Sequence, residues 1–404
     1  MASSATDYDV FPATFALTFD GGAANNFRSV KKEGGFLVHE HYYWIALRNV
    51  CGIGTVLCKN LIERFGSPQQ VFEANDEDLL RVPGVNQRTI TALRRGLPSS
   101  DAEHELALLC QRSISLVTYT DSAYPRLLRH IYDPPPFLYV RGTLPDGDAG
   151  MLAVVGSRSA STYGRRITDQ LCRDLAANGI TVVSGMARGI DACAHQAAVS
   201  AGGKTVAVLG CGVDVIYPPE HKKLYDTIVA NGAAVSEYPP GTEPNSYHFP
   251  ARNRIISGMA RGVLVVEAGP NSGSLITARC ALDQGRDVFA VPGSVYAYTS
   301  KGTNNLLRSG AKVVETAQDI LEEFGPCTGS TESTLVNMRQ PEDLTAEQER
   351  VFGLFGNEPV HIDTLSNAGR FPPGRLAAVL LELELKGLVV ELPGKYFARA
   401  SAPS

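Results

Sequence analysis

The chain of 404 residues is 44% hydrophobic and 20% charged, with 37 Lys+Arg against 42 Asp+Glu and a net charge of -5. That length accommodates two or three domains with separate cores, and an ordinary charged fraction excludes global disorder. No run of about 18 apolar residues is present to span a membrane, and residues 1–22 lack the basic start and apolar run of a secretory leader, so a cytoplasmic protein is expected.

Residues 1–40 are weakly patterned and read as a poorly ordered extension. From residue 41 to 145 a helical domain is expected. It contains two similar units, Leu47 to Gly54 leading into 56–65 and Leu79 to Val85 leading into 88–93. Each reads as helix, Gly-containing hairpin, helix. Hairpin amides at a helix N-terminus can hold a DNA phosphate. Glycine serving only tight turns in a small helical domain is the other reading, and Glu73, Asp76, Glu77 and Asp78 between the units would repel phosphate. Residues 101–111 form a further helix, and 132–142 form a proline-stiffened extended crossing to a boundary near 146–150.

Between 151 and 316 the pattern changes to short apolar runs alternating with amphipathic helices. Strands are predicted at 152–155, 180–183, 205–209, 233–235, 263–266, 288–291 and 312–314, with helices such as 163–178, 192–201, 224–231 and 275–284 between them. Near-continuous apolar strands alternating with helices mean a parallel sheet covered on both faces, a doubly wound Rossmann-like α/β domain over 150–320. Its ligands bind beyond the carboxyl ends of the strands. Gly156-Ser157-Arg158, Ser184 to Gly189, Gly210-Cys211-Gly212, Glu267 to Ser274 and Pro292-Gly293-Ser294 collect there. Glycine lets backbone approach a ligand, and Ser or Asp ahead of a helix leaves amides pointing outward.

The same region carries 16 Lys+Arg against 12 Asp+Glu, leaving 21 basic against 30 acidic residues elsewhere, so a polyanion would sit there. Phe249-Pro250-Ala251-Arg252-Asn253-Arg254 places an aromatic ring, two guanidinium groups and an amide just ahead of a run able to start a helix. Rings stack on unpaired bases, and Arg and Asn hold phosphates or base edges. Arg252 and Arg254 also have a reading as ion-pair partners of Glu237 or Glu267.

Past Glu315 the chain is acidic and then Gly/Ser/Thr-rich, a linker over 321–342. Helices at 346–355, 362–367 and 373–386, then strands at 388–392 and 395–398, make a winged-helix domain over 343–400. Its second helix mixes Arg375 and Lys386 with Glu382 and Glu384, so protein contacts are as good a role for it as duplex DNA.

The eight cysteines show no zinc spacing and read mainly as small buried hydrophobes. Neither a P-loop nor a metal-ligand cluster appears, and no cofactor is expected. A dinucleotide site lacks its GxGxxG after the first strand and its acidic residue after the second. Asp191, Cys193 and His195 have no nucleophile elbow, and Asp191 falls where a helix N-cap belongs.

In combination and order, Val155-Gly156-Ser157-Arg158, Ser184-Gly185-Met186-Ala187-Arg188-Gly189-Ile190-Asp191, Gly203 to Val208, Phe249 to Ile256 and Ser272 to Ala278 resemble the DNA-processing protein A (DprA, or Smf) family. The helical first domain and the winged helix fit its longer members. The resemblance implies a dimeric, non-enzymatic single-stranded-DNA-binding protein that protects incoming DNA and hands it to the RecA recombinase during natural transformation. Arg158, Lys204, Arg252 and Arg254 would hold phosphates, and Gly156, Ser157, Asn271, Ser272 and Gly273 would supply amides and hydroxyls. Phe249 would stack on a base, with Gly185 and Asn253 in the same DNA-binding set. Leu306 and Leu307, adjacent apolar residues within 303–311, would anchor the dimer. The alternative is a nucleotide hydrolase of the lysine-decarboxylase-like Rossmann group, whose PGGxGTxxE loop is here Pro270-Asn271-Ser272-Gly273-Ser274-Leu275 with no following Glu.

Overall fold

A computed structural model describes residues 29–31, 37–145, 150–324 and, toward the C-terminus, 345–355, 360–369, 371–386, 388–392 and 395–399. The chain divides into two compact units, Met1–Gly329 and Ser330–Ser404. The extension expected over 1–40 lies outside the described residues except for a short antiparallel pair, β1 (Ser29–Lys31) with β2 (Leu37–His39).

Six helices follow: α1 (Glu40–Asn49), α2 (Thr55–Phe65), α3 (Pro68–Glu73), α4 (Asp76–Leu80), α5 (Gln87–Arg94) and α6 (Ser100–Gln111). Gly52 and Gly84, at φ 88° and 95°, turn the two predicted hairpins. At the second hairpin the Asn86 side chain accepts from the Arg88 and Thr89 amides, so neither of those amides is left for a phosphate.

The expected helical domain over 41–145 does not stand by itself. Its last part forms β3 (Ser115–Thr118), α7 (Arg126–Arg129) and β4 (Phe137–Gly142), and both strands join the main sheet. Phe137 and Tyr139 pack with Trp44, Leu61 and Leu93 of the helical layer, while Leu138 and Val140 enter the core of the sheet. This two-sided burial follows from strand alternation. Arg48 on α1 and Glu105 on α6 pair at 2.7 Å, and the Tyr139 hydroxyl donates to Glu105 and accepts from Arg48.

The seven predicted strands of the α/β region all form, with small shifts at their ends. In order come β5 (Met151–Val155), α8 (Thr162–Ala177), β6 (Thr181–Ser184), α9 (Ile190–Ser200), β7 (Thr205–Val208), α10 (Lys222–Asn231), β8 (Ala233–Ser236), α11 (His248–Met259), β9 (Gly262–Val265), α12 (Gly273–Asp283), β10 (Asp287–Ala290), α13 (Lys301–Arg308), β11 (Lys312–Val313) and α14 (Ala317–Phe324). The last helix occupies 321–324, which were expected to begin the linker; 325–342 lie outside the described residues.

The sheet has nine strands in the order β11-β10-β9-β5-β6-β7-β8-β4-β3, parallel except where β8 meets β4 and β4 meets β3. Leu152, Val154, Val182 and Leu264 bury one face, and Ala153, Val155, Val183 and Val263 bury the other. The chain winds outward from β5 to β8 and then returns to place β9 beside β5. Their carboxyl ends therefore flank a topological switch point, where crevices open in such sheets.

In the second unit, α15 (Ala346–Phe352), β12 (Val360–His361), α16 (Ile362–Gly369), α17 (Pro373–Leu385), β13 (Val389–Leu392) and β14 (Tyr396–Arg399) build a winged helix. The two-stranded hairpin predicted there is a three-stranded sheet, β12-β14-β13, because the brief Val360–His361 run pairs with β14. Arg375 on α17 is paired with Glu347 at 2.6 Å.

Candidate nucleic-acid interface

At the switch point lies a cleft of about 750 Å³. Of the twelve residues expected to touch DNA, nine line it: Gly156, Ser157, Arg158, Phe249, Arg252, Asn253, Asn271, Ser272 and Gly273. Gly185 lines a small adjoining recess behind Phe249, together with Arg158 and Arg252. Lys204 and Arg254 are elsewhere.

The floor of the cleft is shaped by close packing of loops. A Cβ on Gly156 would stand 2.5 Å from Ile190 at the start of α9, and one on Gly189 would stand 2.2 Å from the Ser157 carbonyl oxygen. The Ile190 amide donates to that same carbonyl at 3.2 Å, so the loop after β5 is seated directly on the N-terminus of α9. Ser161, the N-cap of α8, donates through both its amide and its hydroxyl to buried Glu267, which ties the far side of the loop to the end of β9. Between these anchors Arg158 is exposed, its guanidinium 5.6 Å from the Phe249 ring centroid. Phe249 in turn stacks on Tyr217, with centroids 5.6 Å apart and planes 29° from parallel, and closes against Gly210, where a Cβ would meet the ring at 2.8 Å. Across the cleft, Ser272 caps α12 by accepting from the Ser274 amide, and Gly273 leaves open space where a side chain would stand. Three helix N-termini (α8, α9, α12) thus begin just behind the loops that line the cleft, a field that favours anions.

Four expectations are corrected by this geometry. Phe249 to Arg254 does not precede a helix but forms the first turns of α11, so its residues part by helical phase. Arg252 turns inward and is 4% exposed; its guanidinium donates to the carbonyls of Gly185 (3.1 Å) and Val208, and it faces the cleft only as part of the wall. Arg254, two residues on, points away to a pair with Glu237 and to Asp133 at 3.1 Å, and is absent from the cleft. The ion-pair reading with Glu237 is therefore the observed one. Lys204 is exposed but precedes β7, placing it at the amino edge of the parallel sheet, opposite the cleft.

Asp191 is the second residue of α9, not its N-cap, which is Gly189. It is the carboxylate among the described residues lining the cleft, and it accepts from the Gly185 and Ala187 amides at 3.2 and 3.4 Å. Burial raises its pKa, opposed by the Arg252 charge, while burial lowers that of Arg252 to about 10. His195 makes no common site with Asp191. Thr205 Oγ1 spends its proton on the Val182 carbonyl and so accepts from His195 Nδ1 at 2.7 Å, which leaves His195 Nε2 as a bare buried lone pair. Burial, with His221 and Arg252 nearby, pulls the His195 pKa down to about 3. The unfolded chain therefore holds more protons between pH 6.5 and about 3, and stability present above pH 6.5 is lost as pH falls, by up to about 1.4 kcal/mol per pH unit. Urea midpoints at pH 7 and pH 5 should differ less for His195→Leu than for the native chain; equal pH sensitivity would count against this.

Of the seven cysteines among the described residues, Cys58, Cys172 and Cys211 are buried as expected, whereas Cys51 and Cys110 are exposed. Sequence reasoning missed Tyr217 and Tyr298, which also line the cleft. Their signal was their place in loops that follow β7 and β10 at the carboxyl edge. Leu306 and Leu307 on α13 are half-buried, and Leu306 already packs against the sheet core.

Fold and cleft define a class: a doubly wound α/β protein with a winged helix, whose switch-point cleft presents an exposed guanidinium, aromatic rings and helix N-termini to an extended anion. Residues 115–325 match the family model described as DNA recombination-mediator protein A, and 337–395 match the DprA winged helix domain. The chain belongs to this DprA/Smf family. Similar proteins include Protein Smf of Synechocystis, 35% identical over 89% of this chain and 99% of its own length, and DNA processing protein DprA of Streptococcus pneumoniae, 48% identical over 50% of this chain and 72% of its own. The X-ray structure of the latter protein superposes with a TM-score of 0.62 at 36% identity, covering 71% of this chain and 98% of that one.

Proposed function

We propose that the protein is a non-enzymatic, cytoplasmic single-stranded-DNA-binding protein that shields incoming DNA and passes it to the RecA recombinase during natural transformation. It acts as a homodimer through Leu306 and Leu307. The observation that carries this reading is the convergence, from separate parts of the chain, of Arg158, Phe249, Asn253 and the Asn271 to Gly273 loop on one cleft. Such a site grips phosphate by charge and helix N-termini and an unpaired base by stacking, which gives affinity with little sequence preference. A duplex keeps its bases stacked and offers none to Phe249. The names of the relatives, DNA processing protein and recombination mediator, accord with this role.

The test is Arg158→Glu in fluorescence anisotropy with labelled oligonucleotides. The single-strand affinity of the native chain should exceed its duplex affinity. The variant should lose about 10- to 100-fold in single-strand affinity on every sequence, with a salt slope shallower by about 0.7 for each phosphate that it no longer neutralises. Unchanged affinity at low salt would remove Arg158 from the interface. No helix among the described residues is long and apolar enough to cross a membrane.

A further inference from the structure

The cleft has a neighbour on the carboxyl edge that the stacking at Phe249 does not use. The segment after β10 carries Val295, Tyr296 and Tyr298 at 73%, 94% and 63% exposure, the densest run of exposed large side chains among the described residues. The segment itself is anchored. Asn304 bonds the Gly293 backbone in both directions (3.3 and 3.0 Å), the Ala268 amide donates to the Thr299 carbonyl at 2.7 Å, and a Cβ on Gly293 would stand 2.1 Å from Ser300 Oγ. Tyrosines held out into water by a fixed backbone are costly to keep apolar-side-out and cheap to stack, since little order remains to be lost on binding.

Two facts choose the occupant. Tyr298 is itself part of the cleft wall, with its ring against Gly269, so the exposed tyrosines continue the cleft rather than form a separate patch. Along the sheet, β10 lies four strands from β7, where Phe249 sits on Gly210. At about 4.8 Å per strand those two strand ends are roughly 19 Å apart, a span for several unpaired nucleotides, with Arg158 at the Phe249 end and the Asn271 to Gly273 loop along the same cleft.

We propose that Tyr296 and Tyr298 form a second base-stacking step, which takes bases of the same single strand as it leaves the cleft. This rests on the single-strand reading of the cleft and extends it from one base to a directed track from β7 to β10. Tyrosine suits the task because every base has a π-face and its ring tolerates water when unoccupied.

The experiment uses the full chain and thymidine oligonucleotides of about four and about sixteen residues, the limits of site size for single-strand binders. Tyr296→Ala should weaken binding of the long strand by about 5- to 100-fold and leave the short strand, which fits the cleft, nearly unchanged. Tyr296→Phe should bind as the native chain, because stacking needs the ring and not the hydroxyl. Tyr296→Trp provides a direct reporter: the native chain has one tryptophan, Trp44, fully buried, so an exposed indole is spectrally distinct and should be quenched by the long strand only. If the native chain binds the long strand and Tyr296→Ala binds it equally well, or the indole stays unquenched, the stacking step is wrong and the cleft reading survives. If Tyr296→Ala instead alters the sedimentation coefficient without altering DNA affinity, the patch is a contact between protein copies and the proposal is overturned. If the native chain binds neither strand, both readings fall together.

Discussion

Replacing Arg252 by Met is expected to destabilise the first unit by roughly 3–5 kcal/mol, the range for leaving one member of a buried charged group without its partner. The side chain holds the carbonyls that end β6 and β7 through Gly185 and Val208. It also supplies the positive charge that offsets burial of Asp191. Its loss takes a donor from two carbonyl oxygens and a compensating charge from Asp191, which keeps only its bonds from the Gly185 and Ala187 amides, at the floor of the cleft. The urea midpoint should drop accordingly, and the weaker DNA binding expected of the variant should follow from that loss of structure. A variant as stable as the native chain but defective in binding would return Arg252 to the role of a direct phosphate ligand.

Gly189→Ala is the second large effect. At φ 79° and ψ -121° this residue occupies a region that only glycine enters freely, a cost of about 1–3 kcal/mol for any other residue. Its new Cβ would also press on the Ser157 and Arg158 carbonyl oxygens, at 2.2 and 2.7 Å, and these are backbone atoms that cannot swing aside. The strain therefore passes into the loop that positions Arg158, and a melting temperature lowered by several degrees should come with reduced oligonucleotide affinity. Gly179→Ala supplies the control. It shares a positive φ of 78°, yet nothing lies within 4 Å of its Cβ position, so it should cost about 1 kcal/mol and leave binding intact. Equal binding by both variants would separate the Ser157–Arg158 loop from recognition.

The parallel sheet was legible because strands buried on both faces leave continuous apolar runs, such as Leu152 to Val155, that need no partner to be recognised. β3 and β4 were not legible as sheet strands. Phe137 to Gly142 read correctly as extended, but its pairing with β8 is a long-range fact that no local pattern encodes. Two of the misplacements were avoidable on geometry. Lys204 comes before β7, and in a parallel sheet a residue ahead of a strand is at the edge opposite the ligand loops. Arg252 and Arg254 are 200° apart on a helix, so once His248 to Met259 is helical they cannot both face the cleft, whereas Phe249, Arg252 and Asn253 share a side. That Arg254 prefers Glu237 and Asp133 depends on loops brought together only by the fold.

The antiparallel seam between β4 and β8 has an implication for anyone who would trim this molecule. A cut near residue 150 looks natural in the sequence, yet it would strip β8 of its neighbour along Ala233 to Ser236 and bare the part of the sheet core that Leu138 and Val140 cover. Such a raw, flat margin invites strands from other molecules to zip onto it. β4 and β3 are thus a hem that finishes the fabric, and the DNA-gripping half is best studied with that hem left on.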